Sequence, residues 1–147
     1  ALARALGAQH VCDATAADVA AQVLQLTDGG ADYCIESAGS AASIELGFDV
    51  IRPVGGRLLF ASHPPEGQRI SLDPHALISG KKIAGTWGGC CQPDRDVPRM
   101  AALFSGRALA LGKLLTKRYA LDNINSALDD LETGRVLRPL IDMAHPQ

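Results

Sequence analysis

The chain has 147 residues, with 14 Lys and Arg against 16 Asp and Glu, a formal net charge of −2. So even a balance offers no cationic field for nucleic acid or an anionic membrane, and 47% hydrophobic with 20% charged residues is the composition of a folded chain, not a disordered one. No apolar run approaches the ~20 residues of a membrane-spanning helix, Ala1-Leu2-Ala3-Arg4 is neither a start methionine nor a signal peptide, and a cytoplasmic location is expected.

Residues 1–6 place Leu2 and Leu6 on one helical face, with Gly7 where a terminating glycine belongs and no capping residue at the start. His10 to Ala14 reads as a short strand, and Thr15-x-x-Asp18 as a capping box for a helix carrying Val19, Val23 and Leu26. After Asp28-Gly29-Gly30 the apolar run from Ala31 to Ile35 is a strand. It leads through Glu36-Ser37-Ala38-Gly39 to Ser40, the N-cap of a helix with Ile44, Gly47, Phe48 and Ile51 on one stripe. Pro53 and Gly55-Gly56 separate that helix from a strand at Arg57 to Ala61. A helix from Leu72 to Gly80 and a strand from Lys82 to Trp87 follow.

The remainder predicts a helix from Asp96 to Ser105 stopped by Gly106, a strand near Leu114 to Tyr119, and a helix capped at Asp122. That last helix carries Ile124, Ala127, Leu128 and Leu131 on one face and ends at Gly134, before a final strand from Leu137 to Met143. Strands alternating with helices, each strand continuously apolar, predict an α/β fold whose parallel sheet is covered on both faces.

The four cysteines, Cys12, Cys34, Cys90 and Cys91, lack the spacing of a zinc site and predict free thiols. Cys12 and Cys34 read as buried hydrophobes, and Cys90-Cys91 as lining of a glycine-rich loop. Ligands of parallel sheets sit beyond the carboxyl ends of the strands, which selects the loops 36–40, 61–65 and 86–91. Gly39 suits either the close approach of a nucleotide or a plain strand-to-helix turn. His63 is a site residue or an exposed structural histidine, and Arg138 a phosphate partner or a solvated cation. The other histidines, His10, His75 and His145, are scattered. A G-x-G-x-x-G phosphate loop and the acidic residue that follows it are absent.

The order of segments nonetheless carries a resemblance. Ala3-Arg4-Ala5-Leu6-Gly7-Ala8, Gly29-Gly30-Ala31-Asp32-Tyr33, Glu36-Ser37-Ala38-Gly39 and Pro53-Val54-Gly55-Gly56-Arg57-Leu58 come first. Ser71-Leu72-Asp73-Pro74, the run Leu77 to Gly85, Asp96-Val97-Pro98 and Gly134-Arg135-Val136-Leu137-Arg138-Pro139 follow. Together they resemble the C-terminal part of the medium-chain zinc-dependent alcohol dehydrogenases, nearest the class III and aryl alcohol dehydrogenase branch.

The resemblance implies a partial doubly wound (Rossmann) parallel sheet lacking its first two strands, residues 1–87, and a segment associated with an absent catalytic domain, residues 88–147. It implies NAD as cofactor, with zinc in the parent protein on ligands outside this chain, and a small-molecule alcohol or aldehyde as substrate. Ala38 and Gly39 are expected under the adenosine half, and Ala61, Ser62 and His63 along the nicotinamide half. The backbone near Thr86 and Gly88 is expected on the carboxamide and Arg138 on the pyrophosphate. A homodimer or homotetramer through residues 71–87 is implied, and the chain alone is expected to be inactive. A strand order of 3-2-1-4-5-6 without its first two strands leaves His10 to Ala14 without a neighbour and the strand at Tyr33 to Glu36 as a bare edge. Two other readings remain open: part of a zinc-free, NADPH-dependent quinone or enone reductase, and a non-catalytic dimerisation module built on the 71–87 segment.

Overall fold

The computed structural model describes residues 2–105 and 111–143. The chain divides into two compact units, residues 1–91 and 92–147. The first holds α1 (Leu2–Ala5), α2 (Val19–Leu26), β1 (Tyr33–Glu36), α3 (Ala41–Asp49), β2 (Arg57–Phe60), α4 (Pro74–Ile78) and β3 (Lys82–Gly85), then a 3₁₀ turn at Gly88–Cys90. The strands form one parallel sheet in the order β1-β2-β3, with Tyr33 opposite Arg57 and Leu58 opposite Ile83.

Helix α3 begins where its sequence says it should. Ser40 Oγ accepts from Ser43 N at 3.0 Å while Ser40 N donates to Ser43 Oγ at 3.2 Å, a reciprocal cap that satisfies two otherwise orphaned amides. Its apolar stripe then lies on the sheet. Ile44, Phe48, Ile51 and Leu58 form the core, flanked by Cys34, Phe60, Leu72, Ala76 and Ile83. The far end of α3 is closed from a distance, since Lys81 Nζ donates to the carbonyls of Phe48 at 2.7 Å and Asp49 at 3.0 Å. Burial lowers the pKa of that ammonium, and the charges of Asp49 and Asp73 act against the shift.

Several expectations are corrected here. His10 to Ala14 forms no strand: no neighbouring strand pairs with its backbone, and Asp13 Oδ1 instead accepts from Thr15 N at 2.9 Å and Thr15 Oγ1 at 2.7 Å. Thr15 is thereby taken from its expected capping role, and α2 starts at Val19 with Asp18 making no side-chain cap bond. Cys12 and Cys34 are half-buried, and all four cysteines are free. Helix α4 is shorter than expected, fixed by Pro74 and by Asp73 Oδ1 accepting from His75 N at 2.9 Å. As expected, strand β1 stands at an edge of the sheet; among the described residues the face away from α3 is open there, with Tyr33 and Ile35 69% and 65% exposed.

The second unit contains α5 (Pro93–Ser105), a 3₁₀ turn at Leu111–Leu114, β4 (Leu115–Ala120), a 3₁₀ turn at Leu121–Asn123, α6 (Ile124–Glu132) and β5 (Arg138–Asp142). Gly106, the expected stop of α5, and His145 lie outside the described residues. Helix α5 starts at Pro93, ahead of the expected Asp96, whose Oδ2 accepts from Gln92 N at 2.8 Å across the first turn. Strands β4 and β5 pair in parallel across α6. Tyr119, Ala127 and Val136 are buried there against Ile141.

A two-stranded sheet is too narrow for the whole stripe of α6. Only Ala127 is buried, while Ile124, Leu128 and Leu131 stay exposed, and the cap position falls on Asn123 instead of Asp122. Asp130 ties α6 to β4: it accepts from Tyr119 OH at 2.6 Å and Lys117 Nζ at 3.1 Å, and pairs with Arg135 Nε at 2.7 Å. Among the described residues no helix is long and apolar enough to cross a membrane.

Two outcomes are expected. Phe48→Ala, which deletes a ring only 1% exposed, lowers stability by about 4 kcal/mol in urea unfolding; a loss below about 1 kcal/mol contradicts the assigned core. The hydrogen bonds from Tyr119 and Lys117 hold the Asp130 carboxyl down at about 2. In a carboxyl-detected NMR titration it therefore protonates near pH 2, and in Tyr119→Phe it moves back toward the ordinary aspartate range.

Candidate functional site

Because β1, β2 and β3 run parallel, their carboxyl ends lie on one side of the sheet, and three loops leave from there. Ala38 and Gly39 follow β1, Ala61 to His63 follow β2, and Thr86 to Cys90 follow β3. Phe60, Ser62, His63, Pro64, Gly85, Thr86, Trp87 and Cys90 line an open cleft of about 750 Å³ between the second and third loops. The first loop joins it through Gly39: a methyl group built there would lie 3.7 Å from the Ser62 Cβ. There is room for that atom. What selects glycine is its φ of +89°.

The loops are held by a residue that sequence reasoning passed over. Glu36, the last residue of β1, is 5% exposed and is the one buried charged side chain among the described residues. Its Oε1 accepts from Ala38 N at 2.6 Å, Gly39 N at 2.9 Å and Ser43 Oγ at 2.8 Å, and its Oε2 accepts from Ser62 Oγ. Burial pushes this carboxyl up, but the bonds from Ser62, Gly39, Ser43 and Ala38 together outweigh it and leave its pKa below the ordinary value. Burial, followed by the Glu36 charge, pushes the neighbouring Cys34 thiol up, so that cysteine stays protonated and unreactive. The signal for Glu36 was present: a carboxylate ending an apolar strand, before a glycine and a serine cap.

The second and third loops are registered by backbone bonds from Ala61 N to Glu36 O and from Thr86 N to Phe60 O, each 3.0 Å. Gly85 allows the Phe60 ring to lie across β3, since a Cβ there would sit 2.7 Å from Phe60 Cζ. His63 packs on Trp87 with ring centroids 3.9 Å apart and planes tilted by 56°. Thr86 Oγ1 lies 3.6 Å from Cys90 Sγ. Gly88, Gly89 and Cys90 all have left-handed φ, of 53°, 69° and 54°. The structure therefore brings Ala38, Gly39, Ala61, Ser62, His63, Thr86 and Gly88 to one side of the sheet. Arg138 lies in the second unit, exposed at the start of β5, beside a pocket lined by Phe104, Gly112, Leu114 and Leu115. Among the described residues no three His, Cys, Asp or Glu side chains come together to hold a metal.

A parallel α/β unit with its cleft beyond the strand ends belongs to the nucleotide-binding class of folds. Residues 1–106 match the zinc-binding dehydrogenase family. The chain is 31% identical to benzyl alcohol dehydrogenase from Acinetobacter calcoaceticus, with a TM-score of 0.90 over 97% of this chain and 39% of that one. An alcohol dehydrogenase zinc-binding domain protein from Burkholderia ambifaria gives 29% identity and a TM-score of 0.90, over 98% and 39%. Alcohol dehydrogenase-like 2 from Arabidopsis thaliana is 30% identical over 119 residues, 81% of this chain and 31% of that protein. The chain belongs to the zinc-binding dehydrogenase family and corresponds to the C-terminal part of a medium-chain alcohol dehydrogenase. It spans about a third of the length of the curated relatives it matches, 31% and 32% for the first two.

The lowered pKa of Glu36 fixes the sign of a pH effect. A carboxylate depressed by folding contributes stability that is present above its unfolded value and lost as pH falls through the folded one. Relative to Glu36→Gln, the wild-type chain is expected to hold its extra stability at neutral pH. Below about pH 4.5, the ordinary value, that difference shrinks toward zero; a pH-independent difference in urea unfolding contradicts the ionised hub.

Proposed function

We propose that this chain is the nucleotide-binding part of an NAD-linked alcohol dehydrogenase that moves hydride between a primary or aryl alcohol and the cofactor. The observation that carries the reading is the convergence of three loops at the carboxyl ends of β1, β2 and β3, locked together by one buried carboxylate. The family match and the 31% identity to a benzyl alcohol dehydrogenase support the choice of reaction and the aryl branch.

In this reading Ala38 and Gly39 bear the adenosine half, and Ala61, Ser62 and His63 border the nicotinamide half. The backbone at Thr86 and Gly88 meets the carboxamide, and Arg138 meets the pyrophosphate as a bidentate cation. The residues fit such a ligand: Gly39 holds the left-handed turn that carries the first loop to the cleft, and Glu36 fixes the first two loops against each other. Bound NAD supplies the hydride acceptor. Zinc enters only through ligands outside this chain, so residues 1–87 act as the partial dinucleotide domain, residues 88–147 as the segment that meets the catalytic domain, and the chain alone oxidises no alcohol. The exposed edge of β3 supports assembly as a homodimer or homotetramer through residues 71–87. A cytoplasmic location accompanies the reading.

Calorimetry of the intact protein with NAD tests it. Gly39→Val forces a branched side chain into a left-handed backbone and is expected to weaken NAD at least about tenfold. Saturating NAD is expected to slow alkylation of the exposed Cys90 by a similar factor, read by mass spectrometry of its peptide. Unchanged affinity in the variant together with an unprotected Cys90 rejects the placement.

A further inference from the structure

We infer that Glu36 is a positioning residue that fixes the hydrogen-bond polarity of Ser62: the buried carboxylate takes the hydroxyl proton, so Ser62 meets the nicotinamide half of the cofactor as an acceptor only. This part of the cleft then takes an uncharged N–H or O–H group and disfavours an anion. The inference rests on the NAD-binding reading above and adds the polarity by which one residue of that site selects a ligand group.

The direction of the bond between Ser62 and Glu36 follows from the other partners of the carboxylate. Glu36 Oε1 accepts from Ala38 N at 2.6 Å, Gly39 N at 2.9 Å and Ser43 Oγ at 2.8 Å. Backbone amides only donate, so no proton sits on Oε1 between them. A proton could sit only on Oε2, where the partner is Ser62 Oγ, and the lowered pKa of Glu36 leaves that oxygen bare at neutral pH. A bare carboxylate oxygen accepts and cannot donate. Ser62 is therefore the donor, and a serine hydroxyl has one proton to give.

What remains on Ser62 Oγ is its lone pairs, which no other donor engages among the described residues. Ser62 is half-buried and lines the cleft. It stands where the first two loops meet, its Cβ 3.7 Å from the place a methyl group would take on Gly39. An N–H or O–H of a ligand satisfies those lone pairs. A ligand carboxylate brings only further lone pairs, and it meets the Glu36 charge one hydrogen bond behind the hydroxyl, so both effects act against an anion. The other hydroxyl of the cleft is not set in this way, since Thr86 Oγ1 lies 3.6 Å from Cys90 Sγ in a contact where either atom can donate.

Calorimetry of the intact protein at neutral pH compares NAD with nicotinic acid adenine dinucleotide, in which a carboxylate replaces the carboxamide, and with AMP, which carries only the adenosine side. The wild type is expected to prefer NAD to the carboxylate analogue at least about tenfold. In Glu36→Gln the new carbonyl oxygen must face the amides of Ala38 and Gly39. That places the new NH2 against Ser62 and turns the serine proton toward the cleft. The preference is then expected to shrink to about twofold or less, with the analogue binding more tightly than it does to the wild type and AMP unchanged. A gain of that kind cannot come from damage to the fold. Adding Ser62→Ala to Glu36→Gln is expected to remove part of the gain, and Ser62→Thr alone, which keeps a hydroxyl, to retain the wild-type preference.

An undiminished preference in Glu36→Gln overturns the inference. So does a loss of AMP affinity in that variant with the preference unchanged, since Glu36 would then shape the first loop alone. Should Glu36→Gln not fold, Ser62→Ala decides: NAD is expected to weaken about fivefold, and unchanged affinity overturns the inference. A preference that collapses in Glu36→Gln, in a protein that oxidises no benzyl alcohol with NAD, upholds the polarity and rejects the dehydrogenase reading. Oxidation of benzyl alcohol with a preference indifferent to Glu36→Gln upholds the dehydrogenase and rejects the polarity.

Discussion

The first unit is organised around an anion out of water. A carboxylate as buried as Glu36 is tolerated only if its lone pairs are satisfied, and the donors that satisfy it come from three different places. Ala38 and Gly39 belong to the loop after β1, Ser43 to the first turn of α3, and Ser62 to the loop after β2. Ser43 also closes the reciprocal cap with Ser40. One charge therefore sets where α3 starts, where the first loop turns, and how far the second loop stands from Gly39. The cleft inherits its shape from that compensation.

What could be read from the sequence is what depends on neighbours in the chain. Ser40 as a cap, the stripe of Ile44, Phe48 and Ile51, and the strands at Tyr33, Arg57 and Lys82 are all decided within a few residues by capping, period and glycine, and all are present. The order of short motifs carried the family for a similar reason, since each segment preserves a local requirement of the same fold. His10 to Ala14 shows the limit: its residues suit a strand, but a strand exists only with a partner, and Asp13 and Thr15 make a turn instead. The helix α6 shows it again, because the width of the sheet beneath a stripe cannot be seen in the stripe.

The candidate site was legible in part for the same physical reason. The loops at strand ends follow from a parallel sheet, which marked Gly39 and His63, while Ser62 and Thr86 were implied only by the family resemblance. The interactions that make them a site join residues far apart in the chain. Ser62 reaches Glu36 across 26 positions, and His63 meets Trp87 only because β2 and β3 lie side by side. A lone carboxylate and a lone tryptophan carry no mark of these partners.

These two long-range contacts divide the labour within the cleft. The Glu36 hub consumes polar capacity: it engages the Ser62 hydroxyl and the amides of Ala38 and Gly39, and so gives two loops a fixed separation. The contact between Trp87 and His63 ties the second loop to the third. Of the hydroxyls lining the cleft, Ser62 is engaged by Glu36 and Thr86 lies against Cys90. That engagement explains why the residues of the cleft look chemically modest one by one, and why their meaning lies in being held rigidly together.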